Sequence, residues 1–128
     1  MSELKLRLEF EDNPEDISAA KGEMFRECRS LVDYVNDHTD ASATIPEIST
    51  QRNVRGMEIA IGTIILTAFA GEAVKGLLQF IKHRIESKFP KYNYIIIILK
   101  SGKILVKVKS SNFIDLEISK LITEIEDC

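Results

Sequence analysis

Apolar and charged residues alternate at the start of the chain, with Leu4, Leu6, Leu8 and Phe10 interleaving with Lys5, Arg7 and Glu9. Period two predicts a strand with one buried and one solvated face. Asn13-Pro14-Glu15-Asp16 then reads as a helix start, with a capping side chain, a proline suited to the first turn and two acids for the positive pole. Behind it Ile17, Ala20, Met24, Cys28, Leu31 and Val35 recur at threes and fours, so the spacing predicts a helix with one apolar stripe. Residues 36–56 show no period and are expected to form a long loop.

A second helix is expected over residues 57–88. Its later half has a polar stripe through Glu72, Lys75, Gln79, Lys82 and Glu86, opposite Val74, Leu77, Leu78, Ile81 and Ile85. Its earlier half, Ile59 to Gly71, carries no formal charge. A helix apolar all round must be covered by its own domain, a partner or lipid, and this run is too short to span a bilayer, which takes about 20 residues. Projected backwards, the polar stripe passes through Ala68, Ile65 and Ile61. Ile61, Ile65, Ala68 and Glu72 are therefore the candidate interface. The small residues Ala60, Gly62, Thr63, Ala68, Gly71, Ala73 and Gly76 make this segment thin, which permits close packing.

Phe89-Pro90 is expected to stop the helix. Residues 92–109 then read as a hairpin: Tyr92 to Leu99 is apolar on both faces, Ser101-Gly102 is a turn, and Ile104, Val106 and Val108 alternate on the return strand. A last helix carries Ile114, Ile118, Leu121, Ile122 and Ile125. The expected fold is one α+β domain over residues 1–128, a small three-stranded sheet packed with helices in the order β-α-α-β-β-α.

Charge changes this picture by dividing the chain. Residues 1–50 hold twelve acids and five bases, whereas residues 82–109 hold eight bases and one acid. Arg84, Lys88, Lys100, Lys103, Lys107 and Lys109 make a candidate basic patch. The opposed blocks can neutralise each other within the fold, between copies, or against partners. Nucleic acid is disfavoured as a partner by the acidic balance, the absence of Trp and the lack of a recognised motif. Edge-strand lysines also have a structural use, since they discourage sheet-to-sheet aggregation.

No catalytic constellation is visible. His38, His83, Cys28 and Cys128 are scattered, so no metal site is expected, and Cys28 falls on an apolar stripe where buried, inert thiols are common. Gly56, Gly62, Gly71 and Gly76 form no phosphate-binding fingerprint, so no cofactor is expected either. Two cysteines without a pairing pattern suggest a reducing, cytoplasmic setting.

The pattern resembles the effector-associated constant component family of bacterial conflict systems. The stretches that carry the resemblance are LKLRLEF, GMEIAIGTIILTAFAGEAVKGLLQFIKHRI, YIIIILKSGKILVKV and the closing helix. The family's run of arginines after the long helix is matched only by Lys82, His83, Arg84 and Lys88. The resemblance implies a non-enzymatic adaptor or regulator that acts through protein–protein contacts, with a protease-type effector as one partner; the opposed charge blocks and the apolar face separately leave a homo-oligomer open. Two alternatives stay open: peripheral membrane contact through the apolar half of the long helix, and nucleic-acid binding through the lysine-rich hairpin.

Overall fold

The computed structural model describes residues 3–11, 16–87 and 92–127. Its elements are β1 (Leu4–Phe10), α1 (Ile17–His38), β2 (Ser42–Arg52), β3 (Glu58–Thr67), α2 (Gly71–Glu86), β4 (Tyr94–Lys100), β5 (Lys103–Lys109), α3 (Ser110–Phe113) and α4 (Ile118–Asp127). The α+β class holds. The sheet, however, has five antiparallel strands, ordered β2-β3-β1-β4-β5, and not the expected three.

The strand that opens the chain takes the centre of this sheet. Leu4, Leu6, Leu8 and Phe10 are all buried, facing the helices, with β3 on one side and β4 on the other. On α1 the predicted stripe of Ala20, Met24, Cys28, Leu31 and Val35 is fully buried in the same core. Asp16 caps that helix, its Oδ1 accepting from the Ala19 amide at 3.0 Å. The Asn13-Pro14 start and the Phe89-Pro90 stop lie outside the described residues. In the predicted hairpin, Ser101 and Gly102 have φ of 55° and 77°. Two consecutive positive values are what a tight hairpin turn with right-handed twist requires.

Two segments depart from expectation. The loop over residues 36–56 is instead the end of α1 followed by β2. β2 is an edge strand whose Ser, Thr, Glu and Gln side chains are mostly exposed, so it lacks the alternation that marks a half-buried strand. Its register shifts between Thr44 and Glu47, where Pro46 can sit because an edge bulge needs no ladder hydrogen bond from it.

The long helix over residues 57–88 is two elements, β3 and α2, joined by a turn at Ala68 to Ala70. Ile59, Ile61, Thr63, Ile64, Ile65 and Thr67 are β-branched, stiff at χ1 and suited to a pleated surface. β3 is apolar towards the helices (Ala60, Gly62, Ile64, Leu66) and largely apolar away from them (Ile59, Ile61, Ile65), which erased the period of two. Ile61 and Ile65 do share a face, because a spacing of four is even as well as nearly one helical turn. Ala68 and Glu72 do not continue it.

Every helix that contributes to the main core lies against one side of the sheet. On the other side Ile59, Ile61 and Ile97 are buried yet take no part in that core. Arg7 explains part of this: its Nη2 donates to Gln51 Oε1 at 2.9 Å, a bond that runs diagonally across β3 over Ile61. Glu9 Oε2 lies 2.8 Å from Arg7 Nε. Among the described residues no helix is long and apolar enough to cross a membrane.

Helix and sheet approach closely at Gly62, where an added Cβ would overlap Cys28 Sγ and press on Met24 at 3.0 Å. Both side chains are fully buried and cannot swing away. Gly62→Ala is therefore expected to destabilise the fold by about 1–3 kcal/mol, the usual cost of overpacking, read as a lower urea midpoint at unchanged slope.

Candidate functional site

A charged group sits at the centre of the core. Glu27 lies on the buried face of α1 beside Cys28 and is only 1% exposed. Arg84 of α2 grips it with two nitrogens, Nη2 at 2.5 Å and Nε at 3.1 Å from Oε1. The Tyr94 hydroxyl of β4 donates to Glu27 Oε2 at 3.4 Å. A buried carboxylate survives only when paired and hydrogen-bonded in this way. Burial, and secondarily the Glu27 charge, push the Cys28 thiol up to about 12. The same two causes, in the same order, hold the Tyr94 hydroxyl well above its ordinary 10.0.

From this group a line of rings leads to the surface. The Arg84 guanidinium lies 5.7 Å from the centre of the Phe80 ring. Phe80 stacks on Tyr34 at 4.5 Å and 11°, and Tyr34 meets His38 at 5.1 Å. There the chain opens a cleft of about 330 Å³ between the C-terminal end of α1 and the first turns of α2. Tyr34, His38 and Asp40 form one wall, Ala68 and Glu72 the other, and Ala73 and Gly76 the floor. The small floor residues have a physical reason, since a Cβ at position 76 would stand 2.7 Å from the Tyr34 hydroxyl.

Ala68 holds φ at 53°, a left-handed conformation that costs a residue with a Cβ roughly 1–2 kcal/mol. Strain of this kind persists where surrounding structure enforces it, and it is enriched at functional sites. The helix that follows begins at Ala70 without a side-chain cap. His38, Asp40 and Glu72 put an imidazole and two carboxylates around one opening. Among the described residues no group of His, Cys, Asp and Glu is arranged to hold a metal ion.

A second cavity, of about 360 Å³, lies on the far side of the same turn, lined by Phe69, Gly71, Val74, Lys100, Ile122 and Glu126. Its cation is committed. Lys100 is 7% exposed and donates from Nζ to the Ile125 carbonyl at 2.5 Å, tying β4 to the last turn of α4.

The predicted candidates are thus redistributed. Of the interface set, Ile61 and Ile65 lie on the outer face of the sheet, whereas Ala68 and Glu72 line the cleft. The basic patch is dispersed. Arg84 and Lys100 are spent on internal partners, Lys88 is outside the described residues, and Lys103 lies on the helix side beside Glu124 and Asp127. Lys107 and Lys109 alone share an exposed face. Sequence reasoning passed over Glu27, Tyr34 and Asp40. A signal for Glu27 was present: it falls three after Met24 and four before Leu31, inside the apolar stripe.

Two outcomes follow from the buried group. Arg84→Ala strands the Glu27 carboxylate and is expected to cost about 3–5 kcal/mol in urea denaturation, with Arg84→Lys recovering only part. Stability is also expected to fall as pH rises above the ordinary thiol value of 9.0, because the unfolded chain releases the Cys28 proton while the folded chain keeps it up to about 12. Tyr94 steepens the loss above 10.0. Chemical denaturation across this range checks both, and Cys28→Ala removes the first part of the slope.

Neither a family model nor a curated protein matches the chain, so the likeness to the effector-associated constant component family rests on sequence pattern alone. Among solved structures, a phage SAM lyase in complex with S-methyl-5'-thioadenosine is similar at 16% identity and a TM-score of 0.43, covering 84% of this chain and 88% of that one. The phage SAM lyase in its apo state is similar at 14% identity and 0.41, with the same coverage. These neighbours are enzymes, and the expectations of a non-enzymatic adaptor and of no enzymatic activity are withdrawn on that finding. Similarity of this degree transfers no substrate, activity or residue role.

Proposed function

We propose that the chain binds a small organic cation in the cleft at the β3–α2 turn. The observation that carries this reading is the meeting of Asp40, Glu72, His38 and Tyr34 around a cavity of about 330 Å³ floored by Ala73 and Gly76. Its volume suits a small molecule. Glu72 stands in the first turn of α2 and offsets the positive pole of that helix. Asp40 on the opposite wall leaves a net negative opening for a protonated amine. His38 and the Tyr34 hydroxyl add hydrogen-bonding groups. We read the site as cytoplasmic, a reading supported by the free buried thiol of Cys28.

The test is a titration of isotope-labelled protein with benzylammonium and, separately, with benzoate, two ions of similar size and opposite charge. Amide resonances of residues 38–41 and 68–73 are expected to shift with the ammonium at millimolar concentration and to stay in place with the carboxylate. Asp40→Asn with Glu72→Gln is expected to abolish the response. Shifts with neither ion, equal shifts with both, or a response that survives the double substitution overturns the reading.

A further inference from the structure

We infer that the cleft selects cations rich in N–H donors, a primary ammonium or an amidinium, over fully alkylated ones, and that Tyr34 makes the selection. The inference rests on the reading of the cleft as a cation site and names the class of cation it takes.

The seam that ends in the cleft is built in rungs. α1 and α2 run side by side in opposite directions, so the contacts climb α1 from Glu27 to Tyr34 while they descend α2 from Arg84 to Phe80 and Gly76. The lowest rung is an ion pair, and the next is a stack of two rings. At the third, α2 offers no side chain. A Cβ at position 76 would stand 2.7 Å from the Tyr34 hydroxyl, so that oxygen rests against bare backbone at the floor of the cleft.

A cation without N–H donors is held by the face of a Trp, Tyr or Phe ring. Among the described residues that line the cleft, Tyr34 is the one ring of this kind. It is already engaged from α2 by Phe80, at 4.5 Å and 11°, and from α1 by His38, at 5.1 Å and 37°. The ring is therefore spent on its neighbours, and its hydroxyl is what it gives the cleft. The other groups there are also acceptors, since the Asp40 and Glu72 carboxylates stand on opposite walls. An ammonium brings three donors to such a site, and hydrogen bonds between charged partners are the stronger kind. Methylating the nitrogen removes the donors and keeps the charge, which separates recognition by hydrogen bonds from attraction by charge alone. The cleft, at about 330 Å³, has room for either form.

The test follows the amide resonances of residues 38–41 and 68–73 in labelled full-length chain during titration with three cations. Benzylammonium is expected to bind about tenfold more tightly than benzyltrimethylammonium. Benzamidinium, bulkier than an ammonium at its charged end but rich in donors, is expected to behave like benzylammonium, which excludes size as the cause. Tyr34→Phe keeps the ring in its stack and removes the oxygen. It is expected to weaken benzylammonium about threefold or more and to leave benzyltrimethylammonium unchanged. Equal binding of the methylated ion, loss of benzamidinium together with it, or a Tyr34→Phe chain that binds benzylammonium undiminished overturns the inference and leaves the cation reading of the cleft standing. No response to any of the three cations overturns both.

Discussion

The Glu27–Arg84 pair constrains the whole structure. An ionised carboxylate deep in a core is tolerated only if another element delivers its counter-charge in fixed geometry. Here α2 must lie where Arg84 can reach α1, and β4 must lie where Tyr94 can reach the second carboxylate oxygen. One side chain therefore fixes three elements distant in sequence. The gain is in position more than in energy, since an apolar trio of equal volume would hold the core with less desolvation. The guanidinium then sets Phe80, Phe80 sets Tyr34, and Tyr34 shapes the cleft.

Close approach is the second theme. Gly62 lets α1 settle on β3, and Gly76 lets the Tyr34 ring settle on α2. The pattern of small residues signalled tight packing in this stretch without naming the partner. At Gly62 the neighbour is a helix against a strand, and at Gly76 it is a ring against a helix. Smallness reports that something comes near, without saying what.

Legibility followed the chemistry of each segment. β1, the stripe of α1 and the hairpin turn were readable because each shows its own period or its own turn residues to one solvent boundary. β3 was misread because both of its faces are apolar and isoleucines four apart satisfy either a helix or a strand. β2 was misread because an exposed edge strand has no buried face to leave a trace. The cleft brings together residues from the end of one helix and the start of another, a juxtaposition created only by the packing of α1 on α2. Ala68 was flagged for its place on an imagined helix; its actual interest is a backbone conformation that no pattern of polarity encodes.

The central position of β1 has a consequence for biosynthesis. It precedes every other strand of the sheet in the chain, yet Leu8 pairs with Gly62 on one side and Ile96 on the other. Its two backbone edges therefore stay unpaired until β3 and then β4 have been made, and the sheet cannot close strand by strand in chain order. Nascent chains of this topology depend on holding an alternating apolar strand in solution, and the charges of Lys5, Arg7 and Glu9 between its leucines supply that protection before any partner strand exists.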